Sequence, residues 1–395
     1  MLTGFRARFG RDATRIVRAP GRVNLVGEHV DYAGLPVLPV ALGRSVWIAS
    51  RPAADDRVRV HSLDPAFPAR EFQVAPDIPP SGGGDWGDYV KAAAVEVAAA
   101  YGVRRGADLL VTADLQAAAG LSSSSALVVA SALALLAGSG IAAGRLDLAE
   151  RLAEAERYVG TRGGGMDQAV CLGARFGHAA RISFDPLRIA HLRVPPDWRL
   201  VVAFSLAPAR KSAGARERYN RLRSEVEAAT AALAGRLGLE SLPATAAALL
   251  AAAGRDAVRE ALGADPPVQG AGGFRHVLAE SARVAEAEEA LRDRDIARFG
   301  RLMDASHASL RDGLGVSTPE LDAIVEIARE AGAAGARLTG AGMGGSAVAL
   351  CSAARAADVR AALAERFYAG RVSGRAVEDV LFEAVPGAGA RVRRL

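Results

Sequence analysis

The stretch GRVNLVGEHVDYAGLPVLP, residues 21–39, begins with the pattern of a strand and continues as a polar loop. Residues 22–26 alternate polar and apolar side chains, which is typical of a half-buried strand. A glycine breaks the alternation, and Glu28, His29 and Asp31 follow within five residues. An apolar Gly-Leu-Pro-Val-Leu-Pro run then returns the chain to the interior. Two carboxylates and an imidazole at the end of a core strand need an explanation, because burying such groups without a partner costs free energy.

The length and composition describe a globular protein with a sizeable core. The chain has 395 residues, of which 50% are hydrophobic and 24% are charged, and this length predicts two domains. The first residues lack the apolar segment of a signal peptide, and no apolar run is long enough to span a membrane. Cys171 and Cys351 are far apart in sequence, so we expect no disulfide framework, no structural zinc site and a cytoplasmic location.

The basic pI of about 9.6 does not indicate nucleic-acid binding. The net charge is only +5, and the basic residues alternate with acidic ones instead of forming a stripe. Nearly all of them are arginines, since Lys91 and Lys211 are the two lysines of the chain. We therefore expect no nucleic-acid partner. Separately, we expect no membrane partner and a monomeric chain.

Strands and helices follow one another without regular alternation, which predicts an α+β fold. Ranges 107–115 and 198–205 read as strands, and 126–138 and 146–160 read as helices. An alanine-rich stretch at 243–262 is also expected to be helical. We place the boundary near residue 205, giving an N-terminal domain over 1–205 and a C-terminal domain over 206–395.

The segment LQAAAGLSSSSALVVASALALL, residues 115–136, has the features of a phosphate-binding loop. Gly120 and four serines lead into an apolar helix, whose first N–H groups and dipole favour an anion. One serine could simply cap the helix, but four in a row after a glycine favour phosphate. The loop is neither a Walker A motif nor a dinucleotide fingerprint, and it predicts a phosphorylated ligand, most naturally a nucleotide.

The segment YVGTRGGGMDQAV, residues 158–170, presents Asp167 after three glycines. Such an acid can accept the proton of a substrate hydroxyl during phosphoryl transfer. It can equally be the N-cap of a helix that starts at Gln168, and the segment alone does not decide between these interpretations. Arg22 could supply the cation that keeps the aspartate ionised and stabilises charge on a transferred phosphoryl group.

Three segments in order now resemble the signature motifs of the galactokinase branch of the GHMP small-molecule kinases: APGRVNLVGEHVDYAGLPVLP, GLSSSSALVVA and RLTGAGMGGSAVAL. The resemblance covers nearly the whole chain. It implies two α+β domains with the active site between them, and phosphorylation of the anomeric hydroxyl of a galactose-type sugar with ATP and Mg²⁺. A non-catalytic sensor of sugar and ATP is the alternative from another class, but a sensor need not keep both Arg22 and Asp167.

The resemblance also implies roles for individual residues. Asp167 matches the catalytic aspartate and Arg22 the transition-state stabiliser. The residues that match sugar contacts are Glu28, His29, Asp31, Gly165 and Tyr219. The residues that match ATP contacts are Trp86, Gly120, Ser122, Ser123 and Ser124. Ser124 and Glu156 match the magnesium site. The glycines of 340–345 are expected to be structural neighbours of the substrate, and His307 a structural helix histidine.

The choice of sugar is less constrained. The RYVGTRGGGMDQ segment looks more like N-acetylgalactosamine kinases, whereas Tyr219 looks more like galactokinases. Lys211 stands where a histidine is usual a few residues before that tyrosine. We predict galactose as the substrate and keep N-acetylgalactosamine as the alternative.

Overall fold

The computed structural model describes residues 1–208 and 213–395. The strands of the described residues are β1 (Arg15–Asn24), β2 (Pro39–Pro52), β3 (Arg57–Ser62), β4 (Arg70–Gln73), β5 (Ala107–Ala113), β6 (His178–Ser183), β7 (Arg188–Arg193), β8 (Trp198–Phe204), β9 (Gly335–Thr339), β10 (Ser346–Ser352), β11 (Leu381–Ala384) and β12 (Arg391–Arg394). The α-helices are α1 (Leu2–Phe9), α2 (Gly87–Tyr101), α3 (Ser123–Gly138), α4 (Arg145–Ala155), α5 (Met166–Gly173), α6 (Ala213–Arg236), α7 (Ala246–Ala253), α8 (Arg255–Gly263), α9 (Ala271–Arg292), α10 (Ile296–Ala308), α11 (Pro319–Glu330), α12 (Ala356–Leu363) and α13 (Val377–Val380). Lys211 lies outside the described residues.

The strands form two main sheets, and the predicted α+β class is confirmed. A six-stranded sheet has the order β12-β1-β2-β5-β3-β4, and a four-stranded sheet has the order β11-β8-β10-β9. Strands β3 and β5 run parallel, while the other pairs in these sheets are antiparallel. Strands β6 and β7 form a separate hairpin. No helix within the described ranges is both long enough and apolar enough to cross a membrane.

The sheets do not divide at residue 205. Strand β8 pairs with β10 and β11 in the four-stranded sheet, and the C-terminal β12 returns to pair with β1. Strand β8 is apolar on both faces and every residue except Arg199 is buried, so it needs helices such as α12 packed against its sheet. We propose that the first domain ends before β8 and is completed by residues 391–394. The predicted division into 1–205 and 206–395 is not tested by this pairing and stays a prediction.

The end of β1 is shaped by a register shift. Pairing with β2 slips between Pro20 and Arg22, at Gly21. A side chain at Gly21 would stand 2.6 Å from the carbonyl oxygen of Leu121, so only glycine lets the phosphate loop approach this strand. The backbone N–H of Arg22 donates to that same carbonyl over 3.1 Å. The bulge therefore brings β1 and the loop before α3 together.

Two of the expected helices have different bounds in the structure. The alanine-rich stretch is not one helix, because α7 and α8 are separated at Gly254, which has a φ of +79°. The helix predicted over 146–160 is α4 followed by a 3₁₀ turn over 156–159. That turn buries Glu156 instead of leaving it on the helix surface. The apolar helix α3 is buried along most of its length, against the first sheet and α2.

Candidate active site

A cavity of about 930 Å³ lies between the two sheets, and the predicted site residues line it. Its walls come from the end of β1, the phosphate loop, the glycine loop before α5, helix α6 and the loop between β9 and β10. All of the predicted residues, from Arg22 to Tyr219, belong to this lining. Residues separated by almost 200 positions in sequence therefore share one cleft.

Arg22 and Asp167 form a bidentate ion pair at the centre of the cleft. Arg22 Nε lies 2.8 Å from Asp167 Oδ1, and Arg22 Nη2 lies 3.2 Å from Oδ2. The third guanidinium nitrogen, Nη1, donates to the carbonyl of Gly120 over 2.6 Å. Burial alone would lower the pKa of Arg22, but the carboxylates of Asp167 and Glu28 outweigh it and raise the pKa. The guanidinium is 7% exposed and the carboxylate 24%, so the acid of the pair is the more accessible from the cavity.

The N-cap interpretation of Asp167 does not hold. Helix α5 begins at Met166, and its cap residue is Gly165, which has a φ of +100°. Asp167 therefore lies inside the first turn, and its carboxylate points to Arg22 instead of to a backbone N–H of the helix. The glycine cap turns the chain sharply enough to aim this side chain into the cleft.

Ser122 also serves Asp167 rather than the helix. It is the N-cap residue of α3 with a φ of +59°, yet its side chain makes no capping hydrogen bond. Its hydroxyl donates instead to Asp167 Oδ2 over 2.5 Å. Ser123 and Ser124 follow at the N-terminus of α3 and line the cavity. The first N–H groups of a helix lack intrahelical partners, so this end of α3 suits an anion.

Sequence reasoning missed the role of the fourth serine. Ser125 is buried, and its hydroxyl donates to Glu156 Oε1 and lies 3.4 Å from Asp167 Oδ2. Glu156 is itself buried at the cavity wall. Ser125 thus joins the carboxylate assigned to magnesium with the carboxylate assigned to catalysis. The run of four serines was the available signal, but only one of them was expected to face the ion.

Asp31 faces the same side of the cleft as Asp167. Its Oδ1 accepts a hydrogen bond from its own neighbour, the N–H of Tyr32, over 2.9 Å. Burial, reinforced by the nearby charge of Asp167, raises the pKa of Asp31 from its ordinary 3.8 to about 6. A side chain at Gly164 would stand 2.2 Å from the N–H nitrogen of Tyr32. The glycine loop and the loop of Asp31 are therefore in direct contact at Gly164, a residue that was not singled out in the sequence.

Glu28 joins the two halves of the molecule. Its Oε2 accepts hydrogen bonds from Arg337 Nη2 and from the N–H of Gly340, both over 3.0 Å. Burial raises the pKa of Glu28, although Arg337 and Arg22 oppose the rise. Arg337 is fully buried and was not recognised in the sequence. The signal would have been an arginine inside an otherwise apolar strand, since one such residue needs a buried acid.

His29 and Tyr219 form an aromatic cluster with Tyr32. The ring of Tyr219 lies 5.4 Å from that of His29 and 5.6 Å from that of Tyr32. His29 Nε2 lies 3.1 Å from the carbonyl of Ala341, and Nδ1 lies 3.3 Å from the hydroxyl of Tyr32. Burial, with the neighbouring His276, lowers the pKa of His29 to about 4, so the ring is neutral at pH 7. Neutral His29 donates to Ala341 through Nε2–H and can accept the tyrosine hydroxyl at Nδ1.

The far end of the cavity is aromatic. Trp86 and Phe67 line it with ring centroids 5.8 Å apart in an edge-to-face arrangement. The indole N–H of Trp86 donates to the carbonyl of Pro68 over 2.9 Å, which fixes the ring. Both side chains are half-buried. This end offers an apolar surface of the kind that a flat heteroaromatic base can contact.

The glycines of the third motif permit close backbone packing. A side chain at Gly340 would stand 2.8 Å from the carbonyl oxygen of Gly120, and one at Gly342 would stand 2.3 Å from that of Val316. The backbone of this motif therefore packs directly against the phosphate loop at Gly120, and the expectation that its glycines neighbour the substrate stays a prediction. His307 lies in α10, where Nδ1 accepts from the N–H of Leu338 and Nε2 lies 3.1 Å from a carboxylate oxygen of Asp322.

Family models match three parts of the chain. They are the galactokinase galactose-binding signature over residues 3–52, the GHMP kinase N-terminal domain over 88–174 and the GHMP kinase C-terminal region over 287–369. The chain is 36% identical to the galactokinase of Chloroflexus aurantiacus over 89% of its length and 88% of that protein. It is 35% identical to the galactokinase of Streptomyces coelicolor over 98% of its length and 96% of that protein.

Solved structures agree with these matches. The galactokinase of Lactococcus lactis, solved with galactose, superposes with a TM-score of 0.85 at 28% identity. The superposition covers 99% of this chain and 98% of the Lactococcus chain. The mevalonate kinase of Methanococcus jannaschii superposes with a TM-score of 0.64 at 18% identity, over 95% of this chain and 99% of that one, and shows the shared fold alone. The chain belongs to the galactokinase family of the GHMP kinases.

Proposed function

We propose that the protein transfers the γ-phosphoryl group of ATP to the C1 hydroxyl of D-galactose and releases galactose 1-phosphate. The observation that carries this proposal is the placement of Asp167 at the cavity wall. Its carboxylate is held by Arg22 and accepts a hydrogen bond from Ser122 of the phosphate loop, also called the serine loop below. Family membership supports the same activity, because the relatives that match most of the chain are galactokinases.

Asp167 is positioned to take the proton of the attacking hydroxyl. Its two oxygens accept hydrogen bonds from Arg22 and Ser122, and a carboxylate retains further acceptor positions for a substrate O–H. The ion pair fixes the orientation of this carboxylate, and the same guanidinium can stabilise negative charge that develops on the phosphoryl group. Gly120, Ser123 and the N-terminus of α3 would hold the phosphates, and Trp86 would lie beside the base of ATP.

The donor set beside the serine loop fits Mg²⁺ brought by the nucleotide. Mg²⁺ is usually bound by one or two carboxylates together with phosphate oxygens and water. Glu156 supplies a buried carboxylate at the cavity wall, and Ser124 supplies a hydroxyl at the same end of α3. Among the described residues, no group of three or more histidine, cysteine or acidic side chains is arranged to hold a metal ion. When bound, the ion would neutralise charge on the phosphates.

Asp31 and Tyr219 are the side chains best placed for the sugar. Asp31 has a partly accessible carboxylate next to Asp167, and Tyr219 packs edge to face with Tyr32 across the same wall. Charged acceptors give strong hydrogen bonds to sugar hydroxyls and distinguish epimers. Glu28 and His29 line the cavity too, but much of their hydrogen-bonding capacity is directed to Arg337, Gly340 and Ala341.

A panel of ATP-consumption assays tests the proposal. Galactose, N-acetylgalactosamine, glucose and arabinose are supplied in turn, with an Asp167→Asn variant as the control for background hydrolysis. We expect turnover with galactose well above that with the other sugars. Preferred turnover of N-acetylgalactosamine would replace galactose by the alternative substrate, and binding of galactose and ATP without turnover would identify a sensor.

Location and assembly stay predictions. A cytoplasmic location is tested by cell fractionation with an antibody to the protein. A monomer is tested by light scattering during size-exclusion chromatography, where a mass near 40.8 kDa is expected.

A further inference from the structure

A carboxylate from the second half of the chain lies under the loop that carries the proposed sugar contacts. Glu280 lies in α9 and is completely buried. Its Oε1 accepts hydrogen bonds from the N–H groups of Gly27 and Glu28, over 2.8 and 3.2 Å. Glu280 is not among the residues that line the cavity. It therefore reaches residues 27–31, called the sugar loop below, from the side that faces away from the cavity.

The backbone of the loop is shaped to receive an anion. Gly27 has a φ of +97°, and a side chain there would stand 2.9 Å from both Val284 Cγ2 and Val37 Cα, so the position requires glycine. Two consecutive N–H groups that point to one side form a concave site for negative charge. In this protein that site is filled from within, by the carboxylate of Glu280.

The buried charge is well compensated. Besides the two N–H groups, Glu280 accepts from Ser306 Oγ over 2.6 Å and pairs with Arg283 Nε over 2.6 Å. Burial alone would raise the pKa of Glu280, but His276, Arg283 and Arg337 hold it at about 2. Four donors around one buried carboxylate indicate a fixed arrangement, because such a group is stable only where its donors stay in place.

The same helix holds the other side of the loop. His276 lies one turn before Glu280, and its Nε2 lies 2.9 Å from the carbonyl oxygen of Glu28. Its Nδ1 lies 2.8 Å from Ser309 Oγ, so the neutral ring donates from Nε2 and accepts from the serine. Helix α9 thus holds both the N–H and the carbonyl of Glu28. The loop is clamped at its first residues, immediately before His29 and Asp31.

We propose that Glu280 is a positioning residue for galactose, which fixes the sugar loop by occupying the site made by the N–H groups of Gly27 and Glu28. The inference rests on the proposed function, since it requires that this loop contacts the sugar. It predicts that Glu280 governs galactose affinity much more than ATP affinity, because the serine loop and Trp86 are held by other elements.

The test uses the full chain and compares four variants by calorimetric titration of galactose and of an unreactive ATP analogue. Glu280→Ala should weaken galactose binding about tenfold or more, since a hydrogen bond to a charged group is worth at least about one order of magnitude in an equilibrium constant. Glu280→Gln keeps one acceptor oxygen and should give a smaller loss. Ser306→Ala removes a different hydrogen bond to the same Glu280 oxygen and is the matched control for a purely structural effect. Asp31→Ala reports on whether the loop contacts the sugar at all.

Hydrogen exchange supplies a second readout that does not depend on binding. The amides of Gly27 and Glu28 should exchange faster in Glu280→Gln than in Ser306→Ala. If Glu280→Ala does not fold, Glu280→Gln tests the positioning role in its place. Equal losses of galactose and ATP affinity, or unchanged galactose affinity with unchanged amide protection, would overturn the role of Glu280. Normal galactose affinity in Asp31→Ala, with normal affinity in the Glu280 variants despite faster exchange, would instead show that the loop is held by Glu280 but is not the sugar site.

Discussion

The replacement Asp31→Asn should stabilise the sugar-free protein at neutral pH. The pKa of Asp31 is raised from 3.8 to about 6 by burial and by the charge of Asp167. A carboxyl whose pKa is raised by folding binds its proton more tightly in the folded state than in the unfolded chain. The free energy of unfolding therefore falls as the pH rises from about 4 to about 6, and stays reduced above that range.

The size of the effect follows from the pKa values. Each tenfold change in acid strength is worth about 1.4 kcal/mol, so a rise from 3.8 to about 6 corresponds to about 3 kcal/mol of lost stability above pH 6. Asparagine has no charge to bury, but it offers one acceptor oxygen where the carboxylate offers two, which costs about 1 kcal/mol. The expected net gain is about 2 kcal/mol at pH 8, whereas near pH 4, where most of the charge penalty is absent, the variant should be slightly less stable than the wild type.

Urea denaturation of both proteins between pH 4 and pH 8 measures this difference. Asp77→Asn, a change at an exposed loop carboxyl, is the control and should show no such pH-dependent gain. Saturating galactose should reverse the order of stability, because a ligand that binds the wild type more tightly stabilises it more. A variant that is less stable than the wild type at pH 8 without sugar would refute the argument that burial penalises this charge.

Three further changes test separate parts of the site. Asp167→Asn should lower kcat at least about 100-fold while galactose affinity changes little, and nearly normal turnover would exclude this residue as the base. Arg337→Met leaves the buried carboxylate of Glu28 without its ion-pair partner. Urea titrations should show that the free energy of unfolding falls by about 3–5 kcal/mol. Much of this loss should be recovered in the double variant that also carries Glu28→Gln. A loss below about 1 kcal/mol would mean that Glu28 does not depend on this arginine. Gly164→Ala should abolish most activity, because the new methyl group overlaps the backbone of the sugar loop. The control Gly163→Ala places its methyl group 3.5 Å from a single atom and should retain far more activity. Similar activity in the two variants would contradict the close approach of Gly164 to the sugar loop.

The residues that carry the chemistry of the site were largely predictable, because most of them lie in short sequence motifs. The serine run and the glycines before Asp167 each describe a local backbone shape, and local shape is visible in sequence. The pairing of Arg22 with Asp167 was also expected, since an ionised acid at a cleft needs a cation. Even here the structure decides between alternatives, because only the geometry shows that Asp167 and Ser122 do not cap their helices.

The support of the site was not predictable, because it comes from distant residues. Glu280, His276 and Arg337 follow the sugar loop by about 250 to 310 positions and reach it only after the second half has packed on the first. A buried charge is recognisable in sequence only when its surroundings are known to be buried. The place of β8 in the second sheet was not predictable for a related reason, since an apolar strand pattern does not show which strands pair with it.

The most direct test of the central claim is a crystal structure of the protein with galactose and an unreactive ATP analogue. The distance to measure joins the C1 oxygen of the sugar to the nearer carboxylate oxygen of Asp167. We expect these atoms within hydrogen-bonding distance, about 2.5–3.0 Å, with the γ-phosphate at the serine loop. A sugar whose C1 oxygen lies beyond the reach of Asp167, or faces another acid of the cleft, would contradict the account.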